Sequence, residues 1–213
     1  MEQKLRHLLI QNFKKNFAID EMLKRFNIDY IDLLLIAEAF NDYVGAYKAM
    51  ERAKKEGKVK SIGLHNFTGE YLDEILNKCD VKPAILYVEA HPHCDRRELI
   101  QKLEPYGTKI ETSTHPELQK KFCQEDDVFK CIQKDHKEYD LYSILCSWYI
   151  QKGFIALRPY GMIISPPLEN IKLDLTNQEM EDIAGINKNK LYCTFSREDR
   201  KKLLEMEFNI KIK

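Results

Sequence analysis

Side chains that bind metals or transfer protons follow several short apolar segments of this sequence. They are four histidines, one cysteine and one glutamate: His65, His91, His93, His115, Cys94 and Glu89. Imidazole and thiolate groups collected at one rim of a fold are ligands that suit Zn2+. The sequence gives no distances between these segments, and no compact metal-ligand spacing occurs elsewhere. We therefore expect polar histidines without a metal, and a histidine-rim metal site is the less favoured alternative.

Two smaller pairs of residues suggest other chemistry. Glu38 and Glu89 could form an acid–base pair, and Cys94 beside His93 could be a nucleophile next to its base. Neighbours in an extended chain point to opposite sides, so we expect Cys94 to be an incidental surface thiol. We expect neither pair to be catalytic.

Alternating helical and strand patterns determine where these residues lie. Five segments are predicted as strands: 30–40, 60–67, 84–92, 109–116 and 154–160. Amphipathic helices join them, and Gly57 stands where one of these helices needs a left-handed C-terminal cap. The alternation predicts a parallel sheet covered by helices, in a single domain over 1–213. Because ligands bind beyond the carboxyl ends of such strands, His65 and Asn66 stand where a ligand would meet the protein.

The composition indicates a globular protein that binds neither nucleic acid nor membrane. Lys plus Arg and Asp plus Glu number 34 each, so the formal charge is zero, whereas nucleic-acid binders carry a basic excess. No apolar run approaches the ~20 residues that span a bilayer. The segment 1–17 lacks the features of a secretory signal and is predicted as a surface helix, with an organelle transit peptide as the alternative. Six cysteines without CxxC spacing fit reduced thiols inside a cell, so we expect a cytoplasmic protein.

Seven segments of the sequence carry a family resemblance. In chain order they are DYIDLLLI, GAYKAMERAKKEGKVKSIG, HNF, VKPA, VEAHP, SWYIQKG and LEN. With them the chain closely resembles the aldo-keto reductases, NADP(H)-dependent enzymes that reduce aldehydes and ketones on a (β/α)8 barrel. The resemblance covers residues 16–190 approximately and leaves 191–213 as a helical tail. Thr176 and Glu179 have capping-box spacing, and Ser196 and Asp199 in the tail have the related arrangement, so each pair is predicted to begin a helix. It implies a partial (β/α)8 TIM barrel of about five parallel strands with covering helices.

The catalytic tetrad of that family, Asp, Tyr, Lys and His, has no counterpart in this sequence. The resemblance places the first three on barrel strands that precede the start of the chain. The fourth should follow DLLLI, where this sequence has Ala37, Glu38 and Ala39. Alanine can neither donate a proton nor orient a carbonyl group. The resemblance therefore implies no catalytic residue in this chain.

The resemblance leaves three residues for binding NADP(H): Asn66, Glu169 and Asn170. Asn66 matches the Asn of a Ser-Asn pair that holds the nicotinamide amide, and the other two match a Glu-Asn pair on the adenine side. The remaining cofactor-binding positions have changed and are occupied here by His65, Leu86, Tyr87, Ser113, Pro159 and, after a gap, Ser165 or Pro166. We expect weak NADP(H) binding or none.

Five strands of an eight-strand barrel would leave two open edges and a bare inner face. The segment LLIQNF (8–13) could cover one edge, and the charged tail helix could fold across the gap. Otherwise a homo-oligomer, a protein partner, a rearranged sheet or the N-terminal part of a longer product would have to cover them.

Three functional hypotheses follow from these observations. The first is a reductase-family protein without reductase chemistry, a remnant or pseudoenzyme that binds a partner or a small ligand. The second is residual NADP(H)-dependent oxidoreductase activity, with a separately encoded N-terminal half. The third is a metal-binding protein.

Overall fold

The computed structural model describes residues 7–10, 17–113, 126–157, 173–193 and 196–208. The chain forms two compact units. Unit 1 comprises Met1–Val88, Glu104–Thr108 and Phe195–Lys213, and unit 2 comprises Glu89–Leu103 and Lys109–Thr194. The assignment of one domain to the whole chain stays a prediction.

Strands and helices alternate along both units. The strands in chain order are β1 (His7–Ile10), β2 (Ile31–Ile36), β3 (Val59–His65), β4 (Ile85–Tyr87), β5 (Lys109–Ser113) and β6 (Ile155–Leu157). The helices are α1 (Phe17–Phe26), α2 (Tyr43–Lys55), α3 (Gly69–Lys78), α4 (Arg97–Leu103), α5 (Asp127–Asp135), α6 (Leu141–Gln151), α7 (Asn177–Gly185) and α8 (Arg197–Phe208), with a 3-10 helix at Glu104–Tyr106. The five predicted strands are present together with β1, so the predicted α/β fold with covering helices is confirmed. Within the described residues, no helix has the length and apolar character needed to cross a membrane.

The four strands of unit 1 lie side by side in the order β1-β2-β3-β4, and each neighbouring pair is parallel. The register places Ile36 of β2 opposite Leu64 of β3, and Leu64 opposite Leu86 of β4. Leu34 and Leu64 are completely buried, as expected of continuous apolar strands covered on both faces. The carboxyl ends of β2, β3 and β4 therefore meet at one edge of unit 1.

The N-terminal segment pairs with β2 instead of forming a helix. Leu8 lies opposite Leu34 and Ile10 lies opposite Ile36, in parallel register. The expected surface helix over 1–17 is thus wrong for His7–Ile10, while the alternative in which LLIQNF covers a strand edge is confirmed for residues 8–10. Backbone N–H and C=O groups along the edge of β2 need partners, and a second strand satisfies them.

Helix α2 carries the chain from the end of β2 to the start of β3. Asp42 caps the helix by accepting a hydrogen bond from the backbone N–H of Gly45 at 2.8 Å. Ala49 and Met50 lie on its buried face. Gly57 has a φ of +76°, which is the left-handed conformation predicted for the end of this helix.

Unit 2 repeats the helix-to-strand pattern with α6 and β6. Asp140 caps α6 by accepting a hydrogen bond from the backbone N–H of Ser143 at 2.7 Å, and Trp148 of this helix is buried. Strands β5 and β6 are parallel, with Thr112 opposite Ala156. The predicted strand positions 114–116 and 158–160 lie outside the described residues.

Both capping motifs predicted near the C-terminus are confirmed. At the start of α7, Thr176 Oγ1 accepts from the N–H of Glu179 at 3.2 Å, and the Glu179 carboxylate accepts from the N–H of Thr176 at 2.7 Å. At the start of α8, Ser196 Oγ accepts from the N–H of Asp199 at 3.0 Å and donates to its carboxylate at 2.6 Å. These local hydrogen bonds satisfy donors that the first turn of a helix leaves unpaired.

The predicted strand 84–92 is shorter than expected, because β4 ends at Tyr87. Further on, His91 and Cys94 exchange backbone hydrogen bonds of 3.1 and 2.7 Å and close a tight turn. Pro92 inside this turn has no N–H to donate to a neighbouring strand. His91 and His93 therefore lie on a turn of unit 2 and not on a strand.

Candidate functional site

The carboxyl ends of β2 and β3 carry the first group of candidate residues. Ala37 follows β2 and is buried, and the side chain of Glu38 beside it is 12% exposed. His65 ends β3, and Asn66 follows it in the left-handed conformation, with a φ of +59°. The backbone N–H of Asn66 donates to the carbonyl oxygen of Tyr87 at 2.8 Å. The structure thus brings Glu38, His65 and Asn66 to one edge of unit 1.

Glu38 is the centre of a polar cluster at this edge. Asn66 Nδ2 donates to Glu38 Oε1 at 2.8 Å, and Nη1 of Arg200 from α8 donates to the same oxygen at 3.2 Å. Burial raises the pKa of the Glu38 carboxyl, and the hydrogen bonds from Asn66 and Arg200 oppose that effect only in part. Glu38, Asn66 and Arg200, together with Arg197, which is described next, are called the rim cluster.

Arg197 attaches the start of α8 to the same edge. Its Nη2 donates to the carbonyl oxygen of Ala39 at 2.7 Å. Its guanidinium carbon lies 4.7 Å from the ring centroid of Phe40 and 4.8 Å from that of Tyr71, which is cation–π geometry. The sequence did not indicate Arg197 or Arg200, because a charged tail helix was the only local signal and their partners are far away along the chain.

Ala37 and Tyr87 hold the imidazole of His65. Nδ1 lies 2.8 Å from the carbonyl oxygen of Ala37, and since a carbonyl only accepts, Nδ1 carries the proton and donates it. The imidazole stacks on the Tyr87 ring, with centroids 4.5 Å apart and planes 13° from parallel. Burial lowers the pKa of His65, and the hydrogen bond to Ala37 offsets only part of that effect. The neutral form of His65 is therefore favoured.

This edge does not fit the nicotinamide amide that the family resemblance assigns to it. One N–H of the Asn66 amide is taken by Glu38. His65 and Tyr87, which occupy two of the changed cofactor-binding positions, stack on each other. Glu169 and Asn170, predicted for the adenine side, lie outside the described residues, so their role stays a prediction. The same holds for four other predicted positions: His115, Pro159, Ser165 and Pro166.

In unit 2, His93 joins three separate segments of the chain. Its Nδ1 lies 2.8 Å from the hydroxyl of Tyr192, and its Nε2 lies 3.0 Å from Asp126 Oδ2. An ionised carboxylate only accepts, so Nε2–H donates to Asp126 and Nδ1 accepts from the Tyr192 hydroxyl. Both ring nitrogens are engaged, which leaves no lone pair of His93 for a metal. Neither Asp126 nor Tyr192 stands in a sequence motif that would have indicated this pairing.

Glu89 anchors the segment that contains Tyr192. Its carboxylate accepts from the backbone N–H groups of Tyr192 at 2.7 Å and Cys193 at 3.0 Å, and it contacts His91 Nε2 at 2.9 Å. Burial raises the pKa of Glu89, but these hydrogen bonds outweigh it and leave the pKa below its ordinary value. Glu38 and Glu89 thus each have hydrogen-bond partners within their own unit.

Cys94 is buried, which corrects the expectation of a surface thiol. The turn between His91 and Cys94 folds the side chain inward, and Sγ lies 3.8 Å from Asn189 Oδ1. Burial raises the pKa of the Cys94 thiol and so reduces the thiolate needed for nucleophilic attack. In the part of the chain that the structure describes, no group of three or more His, Cys, Asp or Glu residues is placed to hold a metal ion.

Acidification from pH ~7.5 to ~5.5 is expected to destabilise the chain through His65 and His93. Burial is the main cause of the lowered pKa of both histidines. A histidine with a lowered folded pKa contributes stability above its unfolded pKa of about 6.5, and that stability is lost as the pH falls through the folded pKa. Urea titrations across this range should show the loss. The variants His65→Gln and His93→Gln should flatten the pH dependence, and a rise in stability on acidification would contradict the neutral assignment.

Comparison with known proteins identifies the chain's relatives. Residues 15–112 match the model of the Aldo/keto reductase family. Aldo-keto reductase family 1 member A1 of Gallus gallus is 31% identical over 209 residues, which cover 82% of this chain and 63% of that protein. The NADPH-dependent aldose reductase GRE3 of Saccharomyces cerevisiae is 30% identical over 170 residues, which cover 72% of this chain and 52% of that protein. The chain therefore spans between about half and two thirds of the length of these curated relatives.

A solved structure shows the same fold. The aldo-keto reductase MGS-M4 from a Medee basin deep-sea metagenome library aligns with a TM-score of 0.72 at 25% identity. The alignment covers 88% of this chain and 72% of that one. The parallel strands with covering helices are thus those of an aldo-keto reductase TIM barrel, in agreement with the fold expected from the sequence. On these sequence and structural grounds, the chain belongs to the aldo-keto reductase family.

Proposed function

We propose that this chain is an aldo-keto reductase family member that does not itself reduce carbonyl groups. The observation that carries the proposal is the pairing of Glu38, which directly follows the buried Ala37 in the sequence. Its carboxylate already accepts hydrogen bonds from Asn66 and Arg200. Ala37 stands where the family places its catalytic histidine. The edge that would deliver a proton is instead a set of side chains that hydrogen-bond one another.

The protonation of His65 supports the same proposal. Reduction of a carbonyl needs a proton donor within hydrogen-bond reach of the carbonyl oxygen. His65 already donates its Nδ1 proton to the backbone of Ala37, and burial favours its neutral form, in which Nε2 carries no proton. His65 is therefore a poor substitute for the missing histidine.

The proposal includes weak NADP(H) binding or none. A nicotinamide amide would have to compete with Glu38 for the Asn66 side chain and separate the stacked rings of His65 and Tyr87. Leaving Glu38 with only one of its two partners in a largely buried position would add a further cost. Cofactor binding at this edge is thus opposed by contacts that the chain already makes.

The test is an assay of the purified chain with NADPH and a panel of aldehydes, followed by NADPH absorbance. Turnover is expected to be at least ~100-fold below that of an active family member measured in parallel, because positioned acid–base groups contribute at least that much. Protein at high concentration is expected to leave the fluorescence of NADPH unchanged.

A variant shows whether NADPH fails to bind because the rim cluster blocks it or because the edge has no affinity for it. Glu38→Ala frees the Asn66 amide, so an NADPH fluorescence shift in this variant alone would show that the rim cluster is what excludes the cofactor. Turnover by the unmodified chain well above background would overturn the proposal. Residual NADP(H)-dependent oxidoreductase activity, the second hypothesis from the sequence, would then be the correct function.

A further inference from the structure

The residues that follow β2, together with Tyr71 of α3, provide the acceptors and aromatic rings that bind a guanidinium group. The Glu38 carboxylate and the Ala39 carbonyl are hydrogen-bond acceptors, and the rings of Phe40 and Tyr71 present π faces to the same helix. Arginine has five N–H donors in a planar group and no acceptor, so acceptors and aromatic faces together match it. A compact ammonium group would use the acceptors but would stack less well.

Two arginines of α8 use this surface, one turn of helix apart. Arg200 contacts Glu38 at 3.2 Å, and Arg197 contacts Ala39 at 2.7 Å while lying over both rings. The capping contacts between Ser196 and Asp199 fix the first turn of the helix. They therefore help to hold the first arginine in place.

Arg197 and Arg200 anchor α8 to unit 1. None of the described side chains of α8 is buried. Two of its large apolar side chains are well exposed, Leu203 at 48% and Met206 at 80%. Among its described side chains, α8 therefore contacts unit 1 through polar anchors and not through a buried apolar face, and such a contact opens more readily than a packed core.

We propose that Glu38, Ala39, Phe40 and Tyr71 form a recognition site for arginine side chains, and that α8 is its detachable intramolecular occupant. In this arrangement the C-terminal helix is a latch on the strand-end edge of unit 1. When the latch opens, the site becomes available to an arginine-bearing helix from another source. The inference goes beyond the proposed function, because an arginine site exists at this edge whether or not the chain has catalytic activity.

The test uses the 213-residue chain in which Arg197→Ala and Arg200→Ala are combined. This double variant is called the vacated chain, because neither arginine of α8 remains to occupy the site. The probe is a fluorescently labelled peptide of residues 196–208, SREDRKKLLEMEF, and fluorescence anisotropy measures its binding. The vacated chain is expected to bind the peptide at least ~10-fold more tightly than the unmodified chain, in which the tethered helix competes at high effective concentration. Hydrogen exchange should also show faster exchange of the α8 amides in the vacated chain.

Matched controls distinguish recognition of the arginine side chains from a general attraction to positive charge. Lys201→Ala with Lys202→Ala removes the same charge from the same helix and is expected to leave peptide binding as weak as in the unmodified chain. A peptide with both arginines replaced by alanine is expected not to bind. Adding Glu38→Gln to the vacated chain is expected to weaken binding of the unmodified peptide. Equal binding by the vacated and unmodified chains, or by the two peptides, would overturn the proposal, as would unchanged α8 exchange in the vacated chain.

Discussion

Replacing Trp148 with alanine is expected to lower the unfolding free energy of unit 2 by about 3–5 kcal/mol. Trp148 is 1% exposed, and its ring centroid lies 5.0 Å from that of Tyr149 and 5.7 Å from that of Phe154. Truncation removes the largest side chain from this aromatic cluster and leaves a cavity that the rigid rings cannot fill. The expected loss is therefore that of a large-to-small substitution in a closely packed core.

Ile150 provides the matched control for this prediction. It lies on the same helix, α6, but is 55% exposed, so Ile150→Ala is expected to change the unfolding free energy by less than ~1 kcal/mol. Because Trp148 is the only tryptophan of the chain, circular dichroism and hydrogen exchange of α6 and β6 should replace intrinsic fluorescence as the readout. Similar losses in the two variants would show that Trp148 does not anchor the core of unit 2.

Gly63→Ala is expected to lower the unfolding free energy of unit 1 by about 1–3 kcal/mol. A Cβ at this position in β3 would lie 2.5 Å from the backbone carbonyl oxygen of Ile85 and 2.6 Å from Cδ2 of Leu35. The Leu35 side chain can rotate away, but the Ile85 carbonyl belongs to the neighbouring strand and cannot move without displacing β4. Since β3 also positions His65 and Asn66, the variant should loosen the rim cluster as well.

Gly185 is the matched control for Gly63. It ends α7, and a Cβ there would meet no heavy atom of the described residues within 4 Å. Gly185→Ala is expected to be neutral or to stabilise the chain by up to ~1 kcal/mol, because alanine is the better helix former. Urea unfolding, with hydrogen exchange of β2 and β3, should separate the two variants. A harmless Gly63→Ala would mean that β3 and β4 do not pack as closely as the structure shows.

The sequence predicted the elements well where the signal is local. The continuous apolar strands, the left-handed Gly57 and the capping pair of Thr176 and Glu179 each depend on a few neighbouring residues. Such patterns act within one or two turns of chain, so they can be read without knowing the fold. The end of β4 was placed too late because the hydrogen bonds between His91 and Cys94 are a competing turn that the apolar pattern does not reveal.

By itself the sequence determined the order of strands and helices, the resemblance to the aldo-keto reductases and the alanine at position 37. Only the tertiary structure decided how the polar residues pair, since Glu38 and Arg200 are 162 positions apart and His93 and Tyr192 are 99 apart. The reason is physical: backbone preference and apolar periodicity are properties of short segments. The partners of a buried carboxylate or imidazole depend instead on which distant donors the packed chain brings within hydrogen-bond distance.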